Sequence, residues 1–224
     1  MTLRADLHIH SSYSDGIDSV KKILRAALEK KLDAISITDH DTVNGSLEAM
    51  EIVEEEKLPL VVIPGVEIST SDGHLLAYGV YEDLEPGRSM RETALEVKRI
   101  GGISAIAHPF QFYRHGIINI TKAIDVVDAI EVFNAKFYIG LCNALSAIIS
   151  RRYDKPVIAG SDAHSSQTIG YGITILHGAG NSQSAIQSIR LGKTGIEGRR
   201  IPLTLQLRTS LTRTQRWVDW RSKE

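Results

Sequence analysis

The sequence predicts an α/β fold in which repeated strand–helix units close into a barrel-like domain. Short runs rich in β-branched and apolar residues alternate with segments whose apolar residues recur at helical spacing. Repeated units of this kind indicate a largely parallel sheet, and about seven of them suggest closure into a barrel. The length of 224 residues fits one domain of that kind.

Each predicted element has the pattern of its class. Seven segments have the composition of strands and are bounded by turn residues. These strands are Ala5–His10, Ala34–Asp39, Leu60–Ile68, His74–Val80, Gly102–His108, Ala129–Asn134 and Pro156–Asp162. Five segments have helical periodicity, and the apolar stripe of the first consists of Val20, Ile23, Leu24, Ala27 and Leu28. The predicted helices are Ser19–Lys31, Ser46–Lys57, Ser89–Ile100, Leu141–Tyr153 and Ser182–Leu191.

The bulk composition excludes several classes of protein. The formal net charge is −1, so no overall field would draw the protein to nucleic acid or to a membrane. The single cysteine, Cys142, excludes an intramolecular disulfide and fits a reducing compartment. The first residues do not resemble a secretory signal, and no apolar run approaches the roughly 20 residues that span a bilayer. We therefore expect a cytoplasmic protein without a membrane partner.

The segment 199–224 differs in character from the preceding domain, which we predict to cover residues 1–198. It is rich in arginine, contains both tryptophans, and alternates apolar residues from Ile201 to Leu207 as a strand does. Basic and aromatic residues together could bind a nucleic-acid strand. The favoured interpretation is that this basic strand or helix extension packs on the barrel or on a neighbouring subunit. An exposed strand edge could then pair within a homo-oligomer.

Side chains that can bind metals cluster where the predicted strands end. They are His8, His10, His40, Glu67, His108, Asp162 and His164, with Asp15 and His74 close by in the sequence. In parallel α/β folds, the carboxyl ends of the strands form the edge at which active sites assemble. Residues scattered over most of the chain are therefore expected to meet in space.

The first strand ends in two histidines. Residues two apart on a strand point to the same side, so His8 and His10 are expected to face the same way. Two adjacent imidazoles pack poorly in a core but form a natural half of a metal site. Asp15 precedes Gly16 in a turn, where it could be either a carboxylate ligand or an ordinary turn aspartate.

The second and third strands end in further polar groups. His40 could bind a metal while a carboxylate orients its imidazole, and either Asp39 or Asp41 could do so. Glu67 follows a nearly continuous apolar run, where a buried carboxylate is costly unless it is paired or bound to a cation. Its two oxygens could bridge two metals, and His74 at the start of the next strand could add a nitrogen ligand.

Together these residues predict a site for more than one ion. Mixed histidine and carboxylate ligands without cysteine suit Zn, Mn or Fe. About nine candidates exceed the ligands of one tetrahedral ion and suffice for two or three divalent metal ions. Such ions lower the pKa of water and neutralise phosphate oxygens, which makes phosphate-ester hydrolysis the leading reaction class. Amide or ring hydrolysis is the chemical alternative.

The ordered set of motifs resembles that of the polymerase and histidinol phosphatase (PHP) family. The motifs are DLHIHS, ITDHDT, PGVEIS, AHP and GSDAH, and the resemblance runs from Leu3 to Gly198. It implies a distorted (β/α)7 barrel with a two- or three-metal site at the C-terminal end of the strands. It also implies a metal-dependent phosphoesterase of the short stand-alone branch, acting on nucleotides or nucleic-acid ends. Histidinol phosphate is the alternative substrate, and a non-catalytic, metal-stabilised nucleic-acid-binding module is a third hypothesis.

The resemblance further implies how the candidates share the ions. One ion would be held by His8, His10, Glu67 and Asp162. A second ion would be held by Asp15, His40 and His164. Glu67 would bridge to a third ion held also by His74 and His108. The side chains to which this assigns catalysis are His8, His10, His40, Glu67, Asp162 and His164.

Three basic side chains are candidates for contact with a substrate phosphate. They are Arg114 and His115, in a predicted loop after the AHP motif, and Lys136, after the strand that ends at Asn134. A solvated surface charge explains each of them equally well.

Overall fold

The computed structural model of the chain describes residues 1–111, 116–117, 119–137 and 140–221, with side chains up to residue 214. Within these residues the strands pair into two five-stranded sheets. From edge to edge, the first sheet contains β10 (Thr194–Gly198), β9 (Gly172–His177), β1 (Thr2–Ile9), β2 (Ala34–Ile37) and β3 (Val61–Val62). The second sheet contains β4 (Gly65–Thr70), β5 (Gly73–Tyr78), β6 (Ile103–Ile106), β7 (Ala129–Asn134) and β8 (Val157–Gly160).

Helices cover the outer faces of the sheets. They are α1 (Val20–Glu29), α2 (Asn44–Glu55), α3 (Met90–Arg99), α4 (Leu141–Arg152), α5 (Ser182–Arg190) and α6 (Leu203–Arg221). The five predicted helices are confirmed to within two residues at each end. The stripe on α1 is buried as its spacing predicts, with Val20, Ile23 and Leu24 in one cluster with Ile35 and Ile37 of β2. In the described part of the chain, no helix is both long enough and apolar enough to cross a lipid bilayer.

The sheets are mixed rather than largely parallel. Parallel pairing joins β1 to β2, β2 to β3, β6 to β7 and β7 to β8. Antiparallel pairing joins β4 to β5 and β5 to β6, because the chain returns from β4 to β5 through only Ser71 and Asp72. Strands β9 and β10, which the sequence does not predict, add antiparallel pairing at the edge of the first sheet.

The single strand predicted over Leu60–Ile68 is wrong. Ile63 and Pro64 interrupt it, and the two parts, β3 and β4, lie in different sheets. Pro64 has no backbone N–H to donate to a neighbouring strand, so the break falls at this residue. The chain passes from the first sheet to the second at this point.

The two sheets are joined near the carboxyl ends of β1 and β2. Ile9 bridges to Ala163, beyond β8, and His40, beyond β2, bridges to Glu67 in β4. At the first junction, the amide of His10 donates to the carbonyl of Ala163 at 2.8 Å. The α/β class is therefore confirmed. The described strands do not form one continuous closed ladder, so the seven-unit barrel is not confirmed.

A shared apolar core ties the two sheets together. Leu7 of the first sheet lies in one buried cluster with Leu76, Tyr78 and Ile158 of the second, and Ile189 of α5 completes it. The Tyr78 hydroxyl donates to the carbonyl of Leu7 at 2.9 Å, which satisfies the one polar group of this side chain.

The strand predicted over Ile201–Leu207 is wrong, because α6 occupies this segment. Pro202 precedes the helix, where its missing N–H is not needed. Ile201, just before the helix, and Leu205, in its first turn, both pack in the cluster that contains Tyr171. Leu203 and Leu207 are exposed. The alternation arises because both faces of this helix carry leucine, so it does not indicate a strand.

Gly160, at the end of β8, allows that strand to lie directly against β1. A Cβ on Gly160 would lie 2.3 Å from the Cβ of His8 and 2.9 Å from Glu131 Oε1. We expect Gly160→Ala to lower the free energy of unfolding by about 1–3 kcal/mol, as overpacked cores do, when measured by urea denaturation. The matched control is Gly195→Ala in β10, where a Cβ meets nothing closer than 3.6 Å. Its stability should stay within about 0.5 kcal/mol of the original, and equal stabilities of the two variants would contradict close packing at Gly160.

Candidate metal centre

The carboxylate of Glu67 lies at the centre of the predicted cluster, and its side chain is 1% exposed. Its Oε2 atom is 3.2 Å from His8 Nε2, 3.1 Å from His10 Nε2 and 3.5 Å from His40 Nδ1. These histidines come from the ends of β1 and β2, in the first sheet. One oxygen of a residue in the second sheet therefore meets three imidazoles of the first.

The other oxygen of Glu67 faces a second set of imidazoles. Its Oε1 atom is 3.0 Å from His74 Nδ1 and 2.9 Å from His108 Nε2. His74 lies in β5, directly across the hairpin from β4, and His108 follows β6. The two oxygens thus contact separate sets of imidazoles, as those of a carboxylate that bridges two metals would.

The remaining candidates gather around Asp15 and Asp162. His164 Nε2 is 3.1 Å from Asp15 Oδ1, and its Nδ1 is 3.4 Å from Asp162 Oδ1. His10 lies between the two carboxylates, with each ring nitrogen 3.7 Å from one of them. His40 Nε2 is 3.9 Å from Asp15 Oδ1. The fold therefore brings every predicted ligand to one place.

The candidate ligands form overlapping groups in which all ligand atoms lie within 4.8 Å of one another. The groups are His10, Asp15, His40 and His164; His8, His10 and Asp162; His8, Glu67 and His108; and His40, Glu67 and His74. Residues shared between groups are what a site for several adjacent ions requires. The number of ions and the role of each residue as a ligand stay predictions.

The strand ends position these side chains. His8 lies in β1 and His10 directly after it, so both turn to the same side and their ring centroids are 5.2 Å apart. His108 and Asp162 follow β6 and β8 with φ angles of +28° and +52°. Left-handed backbone costs a non-glycine residue about 1–3 kcal/mol and persists only where the surrounding structure enforces it. The strand exits therefore carry strain at the residues that bear candidate ligands.

The buried carboxylate of Glu131, in β7, supports the cluster and is not among the residues predicted from the sequence. Its Oε1 is 2.9 Å from His8 Nδ1, and its Oε2 accepts from the amide of His108 at 2.7 Å. Asn134 Nδ2 donates to Glu131 Oε2 at 3.1 Å and to Asp162 Oδ2 at 3.0 Å. The available signal was a single acidic residue inside an otherwise apolar strand, AIEVF.

The two aspartates beside His40 have other roles than the one hypothesised. Asp39 accepts from the amide of Ser11 at 2.7 Å and from the Ser14 hydroxyl at 2.6 Å, and so holds the loop that carries Asp15. Asp41 accepts a backbone amide of β4 at 2.6 Å. Among the described contacts, neither carboxylate orients the His40 imidazole.

Burial and neighbouring charges shift the pKa values of Glu67 and His8. Burial alone would raise the pKa of Glu67, but His8, His40 and His74 outweigh burial and hold this pKa well below its usual range. Burial would lower the pKa of His8, but Glu131 and Glu67 raise it well above its ordinary value. This direction favours the protonated imidazole at His8, and a bound cation would displace its proton.

Three other histidines of the cluster have lowered pKa values, which favours the neutral imidazole. Burial lowers the pKa of His40 and of His108. Burial, together with the charge of Lys136, holds the pKa of His164 well below its ordinary value. The neutral imidazole is the form that binds a metal.

Among the described residues, several buried polar atoms of the cluster have no hydrogen-bond partner. They are both ring nitrogens of His10, Nδ1 of His108 and Oδ1 of Asp15. His10 Nε2 lies 3.1 Å from Glu67 Oε2 as a charge contact without a hydrogen bond. Unpartnered buried polar atoms are uncommon and costly. Because all of them are nitrogen or oxygen donors, this cluster fits divalent cations such as Zn, Mn or Fe.

One of the predicted substrate contacts, Lys136, reaches the cluster. Its Nζ atom is 3.1 Å from Asp162 Oδ1 and 2.9 Å from His164 Nδ1. The other two, Arg114 and His115, lie outside the described residues.

A second cation approaches the cluster from α6. Arg213 forms an ion pair with Asp15 through the Oδ2 atom. These residues are 198 positions apart, and their contact depends on where α6 packs. No local sequence signal could have found it.

The chain matches known protein families over most of its length. The PHP domain model matches residues 6–98, and the PHP-associated model matches residues 140–194. An uncharacterised protein of Methanocaldococcus jannaschii is 31% identical over 160 residues, which cover 66% of this chain and 92% of that protein. A phosphoribosyl 1,2-cyclic phosphate 1,2-diphosphodiesterase of Eggerthella lenta is 27% identical over 154 residues. The match covers 66% of this chain and 55% of that enzyme, so the chain spans about half the length of this relative.

The fold is similar to that of a solved structure from Bacteroides vulgatus. That molecule is a two-domain protein containing a predicted PHP-like metal-dependent phosphoesterase. The TM-score is 0.75 at 21% identity, over 89% of this chain and 65% of the other. At this identity the likeness shows the fold alone.

The buried position of Glu131 yields a test of its supporting role. Glu131→Gln keeps the shape of the side chain but removes the charge that faces His8, so we expect metal affinity to fall by about 10–100-fold. Competition with a chromophoric chelator measures this. The matched control is Asp128→Asn, which precedes β7 and accepts from the amide of Ser104 at 2.9 Å, and it should bind metal normally. Unchanged affinity in folded Glu131→Gln would show that this residue does not support the centre.

Proposed function

Because the chain belongs to the PHP domain family, we propose that it is a metal-dependent phosphoesterase acting on nucleotides or nucleic-acid ends. The observation that carries this proposal is the cluster of imidazoles and carboxylates around Glu67, whose unpartnered nitrogens and oxygens suit divalent cations. Clustered divalent ions are suited to phosphate esters, whose charged oxygens they neutralise.

We propose that two or three divalent ions, Zn, Mn or Fe, are held by the predicted ligands. These are His8, His10, Asp15, His40, Glu67, His74, His108, Asp162 and His164. When bound, the ions would stabilise negative charge on the phosphate and lower the pKa of water toward neutrality. The side chains predicted to be catalytic act in this proposal through the ions that they hold.

The cluster is closed on one side and open on the other. The side chains of His8, Glu67 and Asp162 are at most 1% exposed, whereas those of Asp15 and His40 are 32% and 27% exposed. Solvent therefore reaches the cluster from the side of Asp15 and His40. A phosphate ester would approach from this side.

Lys136 is placed to bind the substrate phosphate. Its ammonium contacts Asp162 and His164, two of the candidate ligands. If Asp162 and His164 hold divalent ions, these ions repel the Lys136 ammonium. An anion bound between the ions and Lys136 offsets that repulsion. A phosphate oxygen meets that requirement.

We also propose that the two sheets together form the distorted (β/α)7 barrel implied by the resemblance. The isolated bridges between the sheets support this arrangement. Residues 1–198 would form the barrel domain, and residues 199–224 an extension that packs on it through Ile201 and Leu205.

The first test combines metal content with substrate range. The protein is loaded with Mn or Zn, its ions are counted by mass spectrometry, and hydrolysis is measured for nucleotides, phosphorylated oligonucleotides, phosphoribosyl cyclic phosphate and histidinol phosphate. We expect turnover that chelation abolishes and added metal restores. Selective turnover of histidinol phosphate would favour that alternative. An inert, fully loaded protein would contradict the esterase and favour a nucleic-acid-binding module.

Substitution of His40, on the open side of the cluster, tests whether this residue is a metal ligand. Loss of an outer partner of a metal ligand costs about 10–100-fold, so removing a ligand in His40→Ala should lower kcat/KM by at least about 100-fold. The matched control is His177→Ala, an exposed histidine at the end of β9 and outside the cluster, which should keep full activity. Full activity of His40→Ala would exclude this role for His40.

A further inference from the structure

The C-terminal helix α6 lies beside the open part of the cluster, outside every motif that indicated the metal centre. We propose that α6 forms one wall of the substrate site and that Arg213 binds an oxygen of the substrate phosphate there. This inference rests on the phosphoesterase function proposed above. It adds a substrate contact from the segment whose role the sequence left open.

A pocket lies between α6 and the candidate metal centre. Its lining includes Lys136, Asp162 and His164 on the side of the cluster and Thr209, Ser210 and Arg213 on α6. The two cations Lys136 and Arg213 thus face a common space, together with several hydroxyls and the carboxylate of Asp162, which a bound metal ion would neutralise. Such a lining is suited to an anion, which accepts charge-assisted hydrogen bonds from several directions.

The start of α6 is tied to the loop that carries Lys136. The amide of Ile201 donates to the carbonyl of Ala135 at 2.8 Å, directly before Lys136 in the chain. The buried Gln206 amide donates through Nε2 to the carbonyl of Ile201 at 3.0 Å. The helix wall and the lysine on the opposite side of the pocket are therefore held in a defined relation.

Both oxygens of the Asp15 carboxylate contact the cluster, and one of them also contacts α6. Oδ1 has no hydrogen bond among the described residues and lies 3.1 Å from His164 Nε2 and 3.7 Å from His10 Nδ1. Oδ2 is shared between His164 Nε2, at 3.1 Å, and Arg213. An ion could therefore be held through Oδ1 while Oδ2 continues to position the guanidinium.

The guanidinium of Arg213 has more donors than Asp15 uses. It carries five N–H groups in a planar fork, and the side chain is 35% exposed where it lines the pocket. Divalent ions in the cluster would add positive charge between Arg213 and Lys136, and an anion in the pocket would offset that repulsion. Phosphate is the anion that the proposed reaction brings to this side.

The test uses the full-length, Mn-loaded protein and inorganic phosphate as the probe. We expect Arg213→Gln to weaken phosphate binding by about 10–100-fold in titration calorimetry, the range of a charge-assisted hydrogen bond. The KM of the best phosphate ester should rise by a similar factor, with a smaller effect on kcat. Arg213→Lys keeps the charge and should recover part of the loss. Arg208→Gln, at an exposed position on the same helix, is the matched control and should bind phosphate normally.

Metal content is measured on every variant, because Arg213 also contacts Asp15. Unchanged phosphate affinity in Arg213→Gln overturns the inference. A loss of bound metal that accounts for the whole loss of phosphate binding also overturns it, since Arg213 would then only position Asp15. An active protein with an unaffected Arg213→Gln variant refutes this inference alone. If the protein is inert but still binds phosphate through Arg213, the esterase function is refuted and the phosphate site is supported.

Discussion

The burial of one ionised carboxylate, Glu67, is the constraint on which this structure depends. An isolated charge in a protein interior is prohibitively costly, so its burial requires compensating positive charge. Five imidazole nitrogens lie within 3.5 Å of the Glu67 oxygens. Asp6 provides the contrast, because it accepts the amides of Ser161 and Gly170 but has no imidazole contact among the described residues, and burial raises its pKa to about 6. At Glu67, neighbouring imidazoles keep the buried carboxylate ionised.

The same residue also joins the two sheets through its backbone. The amide of Glu67 donates to the carbonyl of Asp39 at 3.1 Å, and its carbonyl accepts from the amide of Asp41 at 2.9 Å. The junction that brings β2 to β4 therefore places the central side chain among histidines of the first sheet. A shift of one strand along the other would separate Glu67 from His8 and His10. The geometry of the candidate centre and the pairing of the sheets are consequently one property of the fold.

Features that depend on local sequence patterns could be predicted, whereas features that depend on contacts between distant parts of the chain could not. The clustering of the candidate ligands could be predicted because most of them, such as His108, follow an apolar strand. The α/β class followed from the alternation of elements, whereas the mixed pairing depends on a two-residue hairpin and on the break at Pro64. Glu131 and Arg213 act through contacts with residues distant in the sequence. Such contacts leave only a lone charge in a strand or an arginine in a basic tail as their local signal.

Helix α6 packs on a small cluster apart from the junction of the sheets, where most candidate ligands lie. Its first turns rest on a small peripheral cluster through Ile201 and Leu205, and the Arg199 guanidinium lies 4.7 Å from the ring of Tyr171. Exposed positions on such a helix change stability by only about 0.5 kcal/mol when substituted. The candidate ligands around Glu67 have no such freedom, because they lie at the junction of the sheets. Substitutions on α6 can therefore change the pocket wall that carries Arg213 without changing the geometry around Glu67.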